Sequence, residues 1–172
     1  MPAEQAVEIL KLVLEALDYA HREKVIHRDL KPANLMIEVN STVRMRILDF
    51  GIALIDEFDH TGRLTAGGAD PLGTLLYMAP EQLQGQLLTS ACDLYAVGLI
   101  AWEMLMGRSV FEGKTRTQMM HEKVTRTAGF ALSGESLSTV PVALSSFVEA
   151  CTLPEPRARP TASEGVAILR SL

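Results

Sequence analysis

The chain has 172 residues, a formal net charge of −5 and 48% apolar residues, which suits one domain with a substantial core and excludes wholesale disorder. It has no long basic run of the kind nucleic acid attracts, and no charged-then-apolar leader opens it. Cys92 and Cys151 stand far apart with no CxxC, the pattern of two reduced thiols in a cytoplasmic protein.

After Pro2, the run AEQAVEILKLVLEALDYAHRE sets Ala6, Leu10, Val13, Leu14, Leu17 and Ala20 at helical spacing. This predicts an amphipathic helix over 1–23, with Glu4 and Glu8 at its positive N-terminal end. His21 falls on the apolar side, where a packed core histidine is expected. Val25 and Ile26 then lead into eight residues, His27-Arg28-Asp29-Leu30-Lys31-Pro32-Ala33-Asn34. No single member is informative, but the set puts a carboxylate, an ammonium and an amide in one short loop. Asp29 can take a proton from a hydroxyl, Lys31 can hold an anionic oxygen, and Asn34 can offer an amide oxygen to a hard cation.

Leu35–Ile37 and Val43–Leu48 are β-like, joined across the turn signal Asn40-Ser41. Such paired strands would fix Asn34 and Asp49 at neighbouring strand ends. Asp49-Phe50-Gly51 adds a second oxygen ligand and a flexible glycine. A base, a phosphate-binding cation and two metal-ligating groups are what transfer of a phosphoryl group to a hydroxyl requires. From 56 to 73 the apolar period dissolves among Gly62, Gly67, Gly68, Pro71 and Gly73, predicting a long loop. The segment 73–81, GTLLYMAPE, follows.

Thr89-Ser90 can cap a helix over 90–106 that is apolar on nearly every face and stops at Gly107. It carries Asp93 and Glu103 and is too short to span a bilayer, so no membrane segment is expected. Asp93 is an unusual carboxylate for the start of a buried helix. Helices are predicted over Lys114–Thr127, Val142–Thr152 and Thr161–Leu172, the last opened by a Thr161/Glu164 capping box.

The set HRDLKPAN, DFG and Ala79-Pro80-Glu81 resembles the protein kinase family. Lys31, two residues after Asp29, resembles the serine/threonine class, in its prokaryotic style. An aminoglycoside-type phosphotransferase shares an H-x-D and a later Asn but neither the Lys-Pro nor the APE. The resemblance implies a mainly α fold with small β-hairpins (α+β), like a kinase large lobe. It divides 1–172 into a helix (1–23), a catalytic loop with strands (25–38), an activation segment (49–81), a buried central helix (90–106) and a helical remainder (114–172).

It also implies roles. The ATP γ-phosphate would move to a Ser or Thr hydroxyl of a protein substrate, with ATP and Mg²⁺ as cofactors. Asp29 would be the base, Lys31 the phosphate contact, and Asn34 and Asp49 the Mg²⁺ ligands. His27, Phe50 and Gly51 are motif positions. Thr74 would hydrogen-bond near Asp29 and Lys31. Met36 would lie under the adenine with Leu48 nearby, although Met36 also reads as core filling. Glu81 would pair with Arg159, and Asp93 would bond the backbone of the HRD turn or serve its own helix N-terminus. Ile100 and Met104 would support Leu35 and Ile37 from below. Arg28 would meet a phosphate on Thr61 or Thr65. Asp70 is either a fixed negative substitute for that phosphate or a solvated turn carboxylate.

What does not appear is equally informative. No glycine occurs before Gly51, and 26 residues precede His27. A Gly-rich phosphate loop, a Lys-bearing strand and the helix carrying its glutamate partner have no place there. The expectation is a large lobe alone, with the small lobe supplied by missing sequence or another chain. Activity would then be weak or absent, and an apolar patch would be exposed around Met36 and Leu48. The alternative is a non-catalytic binding module that docks proteins through Leu75–Glu81 and the Lys114–Thr127 helix.

Overall fold

The computed structural model describes residues 1–39, 43–49, 71–134 and 138–172. Helix α1 spans Ala3–Arg22 and buries the predicted stripe, with Ala3 and Val7 added to it. A two-stranded antiparallel sheet follows, β1 over Leu35–Val39 and β2 over Val43–Ile47, with Leu35 opposite Ile47 and Ile37 opposite Met45. After it come α2 (Pro71–Tyr77), α3 (Pro80–Leu83), α4 (Ala91–Met106), α5 (Arg116–Thr125), α6 (Val142–Cys151) and α7 (Ala162–Arg170). Among the described residues the fold is mainly α with one small antiparallel sheet, the class expected from the sequence.

Helix α4 is the axis. Twelve of its residues are buried, among them Leu94, Val97, Leu99 and Trp102, and α1, α2 and α6 pack around it. Such a helix is stabilised by the apolar surface it removes from water on all sides. Gly98 sets its distance from α6: a Cβ there would lie 2.7 Å from both Cys151 Cβ and Thr152 Cγ2. Gly107 ends the helix in the left-handed conformation (φ 69°), its N–H donating to the Glu103 carbonyl at 2.8 Å. Of the expected Thr89-Ser90 cap, Thr89 supplies the side-chain bond. Ser90 makes no side-chain cap; Thr89 Oγ1 instead accepts from the Ala91 N–H at 3.4 Å.

At the rear, α7 packs on α1 and α6. The Thr161/Glu164 capping box forms at its start. A second one, Thr115 with Gln118, opens α5. No helix among the described residues is long and apolar enough to cross a membrane.

Helix α2 departs from the sequence reading, which extended an irregular loop to Gly73. Pro71 takes the first turn, where its missing N–H costs nothing, and the helix runs on through Gly73 and Thr74 to Tyr77. Tyr77 then donates its hydroxyl proton to Glu103 of α4 at 2.5 Å.

Candidate active site

The site lies on the loop between α1 and β1 and is held from below. Asp93, 1% exposed in the first turn of α4, accepts the His27 N–H at 2.9 Å on Oδ2 and the Arg28 N–H at 2.8 Å on Oδ1. Two backbone donors on one carboxylate explain a buried charge at this position. They also hold Arg28 in the left-handed region (φ 68°), which a non-glycine residue seldom adopts. Gln82 of α3 grips the same residue from the other side, its Nε2 donating to the Arg28 carbonyl at 2.7 Å. Its Oε1 accepts from the Ala79 N–H. Neither the sequence pattern nor the resemblance singled out Gln82.

His21 packs with its side chain 11% exposed, and it also has a polar partner that the sequence did not suggest. Its Nε2 is 2.8 Å from Asp93 Oδ2. One residue from the helix end, the side chain reaches past the stripe to the carboxylate. His27 is fully buried. Its Nε2 donates to the Leu48 carbonyl at 2.8 Å while its Nδ1 accepts from the Asp29 N–H at 3.3 Å. Since a carbonyl only accepts, the proton sits on Nε2. His27 thus fastens the loop between α1 and β1 to the end of β2.

Above this support the reactive groups converge. Lys31 Nζ lies 2.8 Å from Asp29 Oδ2 and 2.8 Å from Thr74 Oγ1. The Lys31 and Asp29 side chains are 17% and 22% exposed, so the pair is shielded yet open to a substrate. Asn34 is buried, and its Nδ2 donates to the Asp29 carbonyl at 2.8 Å. That bond leaves Oδ1 as the atom it offers a cation. The Leu48 N–H donates to the Asn34 carbonyl at 2.8 Å, which brings Asp49, the next residue, beside it. Asp49 is exposed and left-handed (φ 50°).

One amide oxygen and one carboxylate fit Mg²⁺. That ion takes few protein ligands and fills its octahedron with water and phosphate oxygens. No cluster of three or more His, Cys, Asp or Glu suited to a metal occurs among the described residues, so a dedicated protein-only cage such as structural zinc demands does not fit them.

The segment 73–81 is tied at its far end. Arg159 NH1 and NH2 meet Glu81 Oε1 and Oε2 at 2.6 and 2.9 Å, both residues being buried. The other Arg159 donors go to the carbonyls of Leu153, Ala91 and Pro154. All five guanidinium N–H groups are therefore used, and the guanidinium lies 4.9 Å from the Tyr95 ring centroid. This is the bidentate, fully satisfied geometry in which a buried ion pair is tolerated.

Met36 is 45% exposed and Ile37 38%, so Met36 is not core filling in this chain. Leu48 is half-buried. Leu35 and Met104 pack against the core that holds Ile100. These three and Ile37 line an open cleft of about 280 Å³ together with Ile9 and Pro32. Phe50, Gly51, Thr61, Thr65 and Asp70 lie outside the described residues. The Nε of Arg28, the partner suggested for Asp70 or a loop phosphate, is buried with no hydrogen-bond partner among the described residues.

A sequence model of the protein kinase domain matches residues 1–168. The chain is 36% identical over 121 residues to the probable serine/threonine-protein kinase PknB of Bifidobacterium longum, covering 70% of this chain and 17% of that protein. It is 36% identical over 122 residues to the serine/threonine-protein kinase PknB of Mycolicibacterium smegmatis, covering 70% and 19%. The PknB of Mycobacterium leprae is 35% identical over 124 residues, covering 72% and 19%. The chain thus spans less than a fifth of the length of these curated relatives.

Proposed function

This chain belongs to the protein kinase domain family, and we propose that it is the large catalytic lobe of a prokaryotic-style serine/threonine kinase. Its reaction would move the γ-phosphoryl group of ATP to a Ser or Thr hydroxyl of a protein. The observation that carries this reading is the position of the Lys31 ammonium, 2.8 Å from both the Asp29 carboxylate and the Thr74 hydroxyl. It joins the base, the phosphate-binding cation and the docking segment at one point.

The attacking hydroxyl oxygen forms a bond to the γ-phosphorus, and the bond from that phosphorus to the bridging oxygen of ADP breaks. Asp29 accepts the hydroxyl proton. Lys31 balances charge on the transferred group and, through Thr74, keeps the docking segment at the base. Asn34 Oδ1 and Asp49 would hold Mg²⁺, which neutralises charge on the nucleotide phosphates when bound. Met36 and Leu48 would meet the adenine. The lobe organisation of 1–172 and a cytoplasmic setting belong to the same proposal.

Positioning dominates phosphoryl transfer, and the described residues supply a floor for the nucleotide without a clamp over its phosphates. Weak nucleotide binding and slow transfer follow. The test is labelled ATP with Mg²⁺ and a Ser/Thr protein substrate, with nucleotide affinity measured in parallel. Slow transfer with affinity near or weaker than about 1 mM supports the proposal (1 mM is about −4 kcal/mol). Micromolar affinity with rapid turnover would refute the half-site part of it.

A second reading, a non-catalytic docking module, draws on one observation: Ile37 is exposed on the lip of the 280 Å³ apolar cleft. Partner binding retained in a chain with no transfer above background would favour it.

A further inference from the structure

Lys123, near the end of α5, is 1% exposed, although a lysine is seldom buried without a counter-ion. No carboxylate pairs with it among the described residues. Its ammonium instead donates to three backbone carbonyls: Leu75 at 3.0 Å, Leu76 at 2.7 Å and Met78 at 2.6 Å. An ammonium has three N–H donors, so its capacity is filled. The acceptors lie at and just beyond the C-terminal end of α2, where helical carbonyls lack intrahelical partners and a cation is favoured. The ring faces of Phe111 and Tyr95 lie 4.9 and 5.5 Å from Nζ, an arrangement that further compensates the lost water. Burial nevertheless pushes the ammonium well below the usual lysine range. An apolar side chain could fill this volume with no desolvated charge, so the three carbonyls are what the cation serves.

The Tyr95 ring that faces Lys123 also faces Arg159. Segment 74–81 is held at four points: Thr74 by Lys31, Leu75–Met78 by Lys123, the Tyr77 hydroxyl by Glu103, and Glu81 by Arg159. The other three grip side chains. Lys123 grips backbone, and so sets the path of the chain between Thr74 and Glu81 whatever the side chains are.

We propose that Lys123 is a positioning residue for protein-substrate recognition. It fixes the backbone of Leu75–Met78 into the surface against which a substrate segment docks beside Asp29. This rests on the kinase reading above, so the experiment has one arm that does not depend on it.

The first arm is amide hydrogen exchange of residues 75–78 in Lys123→Met, Lys123→Arg and Leu144→Ala, the last a core change in α6 remote from the segment. Loss of three charge-assisted bonds is expected to speed exchange there by about tenfold or more in Lys123→Met. Lys123→Arg, which keeps the cation, should stay within about threefold of the parent. Leu144→Ala should show no excess at 75–78. The second arm is steady-state transfer to a Ser/Thr peptide. Lys123→Met should raise the peptide KM about tenfold with kcat and the ATP KM little changed, the signature of lost substrate binding rather than lost chemistry, with Lys123→Arg restoring it.

Unchanged exchange at 75–78 in Lys123→Met, or the same pattern in Leu144→Ala, overturns the proposal. So does a fall in kcat with no change in peptide KM. If the parent chain transfers nothing, the exchange arm alone decides the role of Lys123. Should Lys123→Met not fold, Lys123→Gln is read by the same criteria.

Discussion

The Glu81 carboxylate and the Arg159 guanidinium meet in a bidentate pair at 2.6 and 2.9 Å, 78 residues apart in sequence. The pair ties segment 73–81 to the turn before α7. Removing one partner strands the other as an unpaired buried charge, whatever the pair itself contributes. Glu81→Gln and Arg159→Met are each expected to cost about 3–5 kcal/mol, read from the denaturant midpoint. A loss below about 1 kcal/mol in either would show that the pair is dispensable.

Asp93 should be nearly as sensitive. It accepts two backbone N–H groups and contacts His21, and an amide in its place must turn one NH₂ toward a donor. Asp93→Asn is expected to cost about 2–3 kcal/mol, the range for hydrogen bonds to a charged group left unmade. Amide exchange at His27 and Arg28 should quicken with it. Protection at those two amides equal to that of the parent would count against the support described for this turn.

The interior of α4 admits no added methyl group at Gly98, where a Cβ would sit 2.7 Å from Cys151 Cβ. Gly98→Ala should therefore lose about 1–3 kcal/mol by overpacking, even though alanine is the better helix former. A stabilised Gly98→Ala variant would mean that α4 and α6 are not in close contact.

Cys151 gives a pH-dependent test. Burial pushes its thiol far above the ordinary cysteine value. The unfolded chain loses this proton as pH rises through about 8.5–9 while the folded chain keeps it. The folded state then binds more protons, and stability must fall with rising pH. Relative to Cys151→Ala, the parent should lose about 1.4 kcal/mol per pH unit above pH 9, with a constant difference below pH 8. Lys123 acts in the opposite sense. Its depressed pKa makes the unfolded state the greater proton binder only between the lowered folded value and about pH 10.4, which is why the comparison with Cys151→Ala, and not the raw pH curve, is diagnostic. Parallel curves from pH 7 to 10 would contradict the buried thiol.

What was legible in the sequence is what chemistry or period marks locally. The stripe of α1, the all-round apolarity of α4, and the Thr161/Glu164 box each follow from a repeat or a short motif. The Glu81–Arg159 tie was suggested only by resemblance, since spacing alone cannot bring two residues so far apart together. The Asp93 bonds to the loop were one of two readings, and only the fold chooses between them.

The misses share a cause. His21 and Gln82 act through long polar side chains whose reach depends on where a distant element lies. Gly73 signalled a loop, yet α2 forms there because Lys123 and Glu103 meet its C-terminal end from two other helices. One clue was available: Lys123 follows buried Met119 at helical spacing, and so occupies an apolar position on α5. A charge in an apolar stripe signals a buried partner.

The chemistry assigned to Asp29 is tested most directly by labelled phosphate transfer from ATP to a Ser/Thr protein substrate, comparing the parent chain with Asp29→Asn in the same preparation conditions. Asparagine preserves the volume and a hydrogen bond to Lys31 but cannot take a proton. The account predicts slow transfer by the parent and a fall of about 100-fold or more in Asp29→Asn, the range for removal of a general base. Equal rates in the two proteins, at whatever level, would contradict it.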